Sequence, residues 1–178
     1  VKYRNIPMDR TGTNPFIDIK NLWHLKNIFS EIKPDYILSY TMKPVIYGSI
    51  AARLSGIKNI YSMITGLGFA FTSKSVKSRL VNLLMKPLLT ISLSFSKAIF
   101  LQNPDDINEL YDNRILRDCS KAILINGSGV DLEYYNKEPL PSSISFLLIA
   151  RLIKDKGIYE YVEAAKIVKM KYPDINFS

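Results

Sequence analysis

The chain alternates short apolar runs with longer segments of helical period, and this alternation narrows the possible folds more than any other feature. Ile19, Leu22, Leu25, Phe29 and Ile32 recur at helical spacing over residues 19–33. Asp18 is expected to cap that helix, and Pro34-Asp35 to end it. Tyr36-Ile37-Leu38 reads as a short buried strand. Lys43-Pro44 opens a second helix running to Leu54, with Gly56 as its stop. Further strands are expected at 59–64, 98–102, 122–125 and 144–150, and a next one from Ile175. Between them lie a long basic helix from about Ser75, bent near Pro87, a short one from Pro104, and one from Lys156-Gly157 to Lys171. Such alternation, without repeats, predicts an α/β fold with a parallel sheet and helices on both faces. Its ligands would bind beyond the carboxyl ends of the strands. The polar stretch 131–143 reads as a linker between a Rossmann-like domain, 1–130, and a second unit, 144–178.

Charge is distributed unevenly along the 178 residues. The net charge is +8, yet no acid lies between Asp35 and Asp105. That stretch holds Lys43, Arg53, Lys58, Lys74, Lys77, Arg79, Lys86 and Lys97. A basic block of this kind suits nucleic acid, anionic lipid or a phosphate-bearing substrate. The most apolar run, Leu80 to Phe95, is interrupted by Asn82, Lys86 and Pro87, and is too short and too interrupted for a membrane span. Cys119 is the one cysteine, so no internal disulfide or multi-cysteine zinc site can form within the chain. A reducing, cytoplasmic compartment is the expectation. The start at Val1 and the end inside a strand pattern lead us to expect a piece of a longer protein.

Three loops carry candidate chemistry. In Ala150-Arg151-Leu152-Ile153-Lys154-Asp155-Lys156-Gly157, a strand runs through a cationic loop into a helix. Arg151 and Lys156 could hold a diphosphate at the helix N-terminus, or be two solvated surface cations. Gly127-Ser128-Gly129-Val130-Asp131 admits close backbone approach, or is a plain turn. Ile64-Thr65-Gly66-Leu67-Gly68 could present N–H groups to an anion, but Phe71 stands where a dinucleotide fingerprint has its third glycine. The basic helix, with Lys74, Lys77, Arg79 and Lys86, either lies on an anionic membrane or packs on the sheet with a solvated rim. His24, the one histidine, reads as a surface or packing residue rather than a base.

Taken together, these motifs resemble retaining glycosyltransferases of family 4, which have two Rossmann-like domains in the GT-B fold. The resemblance rests on Gly127-Ser128-Gly129-Val130-Asp131, Phe146 to Leu152, Lys156-Gly157, Glu160 and Ala164-Ala165. Arg10 to Pro15, Tyr40 to Pro44, Ile64 to Gly68 and Asn103 to Asp106 are similar to a bacterial subgroup. That subgroup builds capsule, O-antigen or lipid-linked glycans, including transferases that add N-acetylgalactosamine to undecaprenyl-diphosphate sugars.

The resemblance implies that Arg151 and Lys156, with Gly129, bind the diphosphate of a nucleotide-sugar donor, UDP-linked, without metal or other cofactor. It makes Arg10, Thr41, Lys43, Thr65, Gly66 and Gly68 candidates on the acceptor side. Lys74, Lys77, Arg79 and Lys86 would meet the membrane at its inner, cytoplasmic face. A lipid-diphosphate-linked glycan is the implied acceptor, and nucleic acid is not an expected partner. Two departures stand out: this chain has no histidine near Thr65, and the family's glutamate pair would lie beyond Ser178. The chain alone is therefore expected to be catalytically inactive. Rival readings are a basic nucleic-acid-binding module, which the few aromatic residues among the cations of 74–86 weaken, and an inert glycosyltransferase-like partner.

Overall fold

The computed structural model describes residues 3–6, 14–67 and 76–178. Arg10, Gly68 and Lys74 lie outside these residues, as do the side chains of Lys77 and Arg79. The chain divides into two compact units, Val1–Gly129 and Val130–Ser178.

In the first unit, α1 (Pro15–Ile32), β1 (Ile37–Tyr40), α2 (Met42–Leu54), β2 (Ile60–Ile64), α3 (Val76–Phe95), β3 (Ala98–Leu101), α4 (Pro104–Asp112) and β4 (Ala122–Leu124) follow in order. The four strands form one parallel sheet in the order β1-β2-β3-β4. Local signals set the helix ends. The Asn14 side chain accepts from Phe16 N–H and caps α1, with Pro15 in its first turn. Asn103 caps α4 in the same way. Asp18 does not cap α1, contrary to expectation. It lies one turn inside, buried against α2. The α3 helix continues through Pro87.

On one face of the sheet Ile60, Ser62 and Ile64 of β2 stand beside Ile99 and Leu101 of β3, all fully buried. Ile64, Ile99 and Leu101 join Val45, Ile46 and Ala51 of α2 and Leu89 and Leu93 of α3 in the main core, while Ile60 packs with Ala52 and Ile57 in a smaller cluster. Burying each large side chain of this set contributes roughly 1.5–3 kcal/mol. A polar seam runs through it: Ser62 Oγ lies 3.4 Å from Ser49 Oγ and 2.7 Å from Ser96 Oγ, all three fully buried or nearly so. These hydroxyls satisfy one another, which makes their burial tolerable.

The opposite face is more open than the expected double covering. Leu38 and Tyr40 are exposed there, and Tyr61, Met63 and Phe100 half-buried. β1 is correspondingly not the buried strand expected over 36–38. Among the described residues it stands at the edge of the sheet, and of its own residues only Ser39 is buried. Gly48 of α2 explains how closely that helix approaches β1. A Cβ at Gly48 would sit 2.6 Å from Ser39 Oγ. The clash is with a rotatable hydroxyl and alanine is the better helix former, so Gly48→Ala alone is expected to change stability by less than about 1 kcal/mol in urea unfolding, and Gly48→Ala with Ser39→Ala, which removes the clash, to be more stable than Gly48→Ala alone.

The second unit holds β5 (Ser145–Phe146), a 3-10 turn (Lys154–Lys156), α5 (Ile158–Lys171) and β6 (Asn176–Phe177). β5 and β6 pair in parallel. Of the stretch 144–150 expected as a strand, Ser145–Phe146 pairs with β6, and Leu148 N–H donates to Ser178 O beyond it. Tyr161 O–H donates to the carbonyls of Phe146 and Ser178 and so ties α5 to both strands. Its ring meets Phe177 edge-on, and Phe177 stacks on Phe146.

Candidate functional site

The carboxyl ends of β1 to β4 gather residues that are distant in sequence. Ser128, which follows β4, is held from two sides. Gln102 Nε2, just past β3, donates to Ser128 Oγ at 3.0 Å, and Tyr40 Oη at the end of β1 lies 3.3 Å from the same oxygen. Gly127 and Gly129 flank it at φ 93° and 75°, where a side chain would be strained. The Gly-Ser-Gly motif is thus a pinned residue between two permissive ones. Tyr40 and Gln102 both stand among the residues at the strand ends where the sequence leads one to look for a ligand, but their bonds to Ser128 are not readable from it.

Thr41, at the same end of the sheet, has φ 71° and ψ 165°, a region that is essentially reserved for glycine. Its N–H bonds to Met63 O, and no side chain caps the start of α2. Strain of this kind costs about 1–3 kcal/mol and clusters at functional positions. Thr65 is exposed beside it in chain order after β2, followed by Gly66 at φ 148° and the buried Leu67.

Lys43 is placed differently from its neighbours in the motif. Its ammonium lies 2.9 Å from Asp18 Oδ1, with both side chains largely buried. Tyr47 O–H donates to the other carboxylate oxygen at 2.9 Å. Burial, reinforced by Asp18, pushes the Tyr47 hydroxyl well above the ordinary tyrosine range, so it remains a donor. This triad joins α2 to α1.

Asp106, in the first turn of α4, accepts a hydrogen bond from the Leu67 backbone. Burial and then the nearby Asp105 nevertheless raise its pKa above the usual carboxylate value. A group raised in the fold stabilises below its unfolded pKa, about 3.9, and loses that contribution as pH rises through its folded value. Asp106→Asn is therefore expected to melt at a higher temperature than wild type at pH 7. The difference should close near pH 3, as thermal unfolding at both pH values would read.

In the second unit, Arg151 and Lys156 both stand exposed on the connection from β5 to α5. Lys156 ends the 3-10 turn, and Gly157 at φ 71° passes the chain into α5 without a side-chain cap. Neither cation has a hydrogen bond or ion pair among the described residues. Two exposed cations beside the N-terminal N–H groups of α5 suit a phosphate-bearing ligand.

α3 exposes Leu83, Leu84, Pro87 and Ile91 along one stripe. Lys86, expected to face a membrane, is half-buried instead, with Nζ 3.5 Å from Asn113 Oδ1. No helix among the described residues is long and apolar enough to cross a membrane.

With this geometry, residues 2–103 match the glycosyl transferase 4-like family. The chain belongs to that family. It is 26% identical over 176 residues to the N,N'-diacetylbacillosaminyl-diphospho-undecaprenol alpha-1,3-N-acetylgalactosaminyltransferase of Campylobacter jejuni, covering 91% of this chain and 46% of that protein. It is 29% identical over 167 residues to the UDP-Gal:alpha-D-GlcNAc-diphosphoundecaprenol alpha-1,3-galactosyltransferase of Escherichia coli, covering 85% and 41%. The chain thus spans less than half the length of either relative. A crystal structure of UDP-N-acetylglucosamine 2-epimerase superposes with a TM-score of 0.59 at 15% identity, covering 96% of this chain and 46% of that one. The S. aureus MnaA–UDP structure gives the same TM-score and identity, covering 93% and 46%. The fold is of the GT-B class, with a Rossmann-like parallel sheet and a strand–helix–strand unit of a second Rossmann-like domain.

Proposed function

We propose that the whole protein is a glycosyltransferase of bacterial surface glycan assembly. It moves a sugar from a UDP-linked donor to a lipid-diphosphate-linked acceptor at the inner face of the membrane. The observation that carries this reading is the pair of exposed cations, Arg151 and Lys156, on the loop that leads into α5 of a glycosyl transferase 4-like chain. Both relatives are named for acceptors on diphospho-undecaprenol, which supports the acceptor class.

In this reading Arg151 and Lys156 hold the donor diphosphate and stabilise the negative charge that grows on the departing nucleotide. These cations do that work without a metal, and the sugar keeps its anomeric configuration. Gly129, at φ 75°, holds a backbone conformation that a side chain would strain, and open space surrounds its Cα. On the acceptor side stand Thr41, Thr65 and Gly66, joined by Tyr40, Gln102 and Ser128. Lys43 contributes through the α1–α2 contact rather than by reaching the acceptor. The apolar stripe of α3 rests on the membrane, helped by the basic block of 36–104.

The test is transfer of labelled sugar from UDP-N-acetylgalactosamine or UDP-galactose to an undecaprenyl-diphosphate-linked sugar, with calorimetric titration of UDP alongside. Transfer together with micromolar UDP binding is the expected result. A folded protein that binds no nucleotide and transfers no sugar would overturn the reading in favour of an inert partner.

A further inference from the structure

The side chains of Tyr40, Gln102 and Ser128 meet past the carboxyl ends of the sheet, and their hydrogen bonds can be counted. Gln102 Nε2 donates to Ser128 Oγ at 3.0 Å, and Tyr40 Oη lies 3.3 Å from the same oxygen. β1 and β4 are the outer of the described strands, so the bond between Tyr40 and Ser128 closes across the ends of β2 and β3. Each of these hydroxyls carries one proton, and their mutual bond uses only one of the pair. Whichever of them donates, one O–H remains to give. Gln102 makes no other side-chain bond among the described residues, which leaves its second amide proton and its carbonyl oxygen. The cluster therefore offers donors and an acceptor together, and it carries no charge.

That inventory selects the ligand. A diphosphate only accepts, so Gln102 Oε1 would stand unpaired against it, and a diphosphate gains most from cations. Lys43, the nearest cation to the cluster in sequence, is largely buried on Asp18. A hydroxyl or an acetamido group of a sugar both donates and accepts, as the Gln102 amide does. The Tyr40 ring is 47% exposed and gives the C–H face of a sugar an apolar surface beside those polar groups. The glutamine is also held before any ligand arrives. One of its N–H groups is fixed on Ser128, which sits between two glycines at positive φ. Ordering a side chain of many rotamers in advance lowers the entropy lost on binding.

We propose that Gln102 and Tyr40 are specificity-determining residues of the acceptor side, reading the neutral sugar of the acceptor rather than its diphosphate, with Ser128 as the positioning residue that aligns them. The inference rests on the reading that the whole protein transfers sugar to a lipid-diphosphate-linked glycan, and it names the part of that acceptor which the cluster touches.

The test uses the whole protein and a set of acceptors in which the hydroxyl and acetamido groups of the acceptor sugar are replaced by hydrogen one at a time, the hydroxyl that receives the new sugar excepted. For wild type, at least one replacement is expected to lower kcat/KM about tenfold or more, because it leaves Gln102 without its partner. Gln102→Leu should lose a similar factor on the intact acceptor and lose that discrimination, with UDP affinity unchanged. Tyr40→Ala, which removes the ring, should cost more than Tyr40→Phe, which keeps it. Gln102→Glu is the closest variant in shape and places a negative charge at the same point. It should weaken a diphosphate-free alkyl glycoside of the acceptor sugar, measured as an inhibitor, by the same factor as the diphosphate-linked acceptor. A Gln102→Glu protein that loses only the diphosphate-linked acceptor would put Gln102 on the diphosphate and overturn the proposal. Equal losses by Gln102→Leu on every acceptor of the set would also overturn it, since that is the result for a residue that only holds the segment after β4. If wild type binds no UDP and transfers no sugar, the transferase reading falls and this inference with it.

Discussion

Replacing Asp18 with alanine is expected to cost about 3–5 kcal/mol of unfolding free energy, the usual range for removing one partner of a buried ion pair. The side chains of Lys43 and Asp18 are only 13% and 8% exposed. Without the carboxylate, the Lys43 ammonium stays in a poorly solvated place and the Tyr47 hydroxyl loses its acceptor. Both effects act on the α1–α2 contact. The loss would be read from urea unfolding followed by circular dichroism. Asp18→Leu with Lys43→Met and Tyr47→Phe should recover most of it, since replacing a buried pair by apolar groups is often neutral. A loss below about 1 kcal/mol, the range of surface pairs, would show that water reaches the pair. The result also bears on function. Any effect of a Lys43 variant on sugar transfer has to be read beside its effect on folding.

In the whole protein, if it is the transferase proposed above, Arg151→Ala with Lys156→Ala is expected to lower kcat/KM for sugar transfer by roughly 10²–10⁴. Two hydrogen bonds to a charged diphosphate, each worth about 1.5–3 kcal/mol, give that span. The fall should appear in kcat as well as in donor KM if the cations act on charge that develops during departure of the nucleotide. A rise in KM with kcat unchanged would assign them to donor binding alone. Both residues are exposed and make no side-chain hydrogen bond or ion pair among the described residues, so stability should change by no more than about 0.5 kcal/mol. A double variant with undiminished transfer would remove Arg151 and Lys156 from the donor site.

The helix boundaries near proline, asparagine and glycine were legible in the sequence because their causes are local. Asn103-Pro104, Lys43-Pro44 and Gly56 act within one turn of where they stand. Asp18 misled for a complementary reason. An acid before an apolar-periodic segment looks like a cap, but its partners, Lys43 and Tyr47, are on another helix. The same limit applies to β1. A short apolar run is compatible with a central strand or an edge, and only the pairing of the whole sheet decides between them. In the candidate site, the Gly-Ser-Gly motif was visible from spacing, whereas the bonds from Tyr40 and Gln102 to Ser128 were not. Those bonds join the ends of β1 and β3 to the segment after β4, and no local pattern encodes them. Arg151 and Lys156 were legible as a pair because both lie on one loop.

The order β1-β2-β3-β4 is also the order of synthesis. A parallel strand cannot pair with its predecessor through a tight hairpin, so each addition must wait for an intervening connection to emerge from the ribosome. Among the described strands none inserts between two earlier ones, so β2, β3 and β4 each meet an edge that already exists. These four strands can therefore be laid down vectorially, one crossover at a time, without undoing a pairing already made.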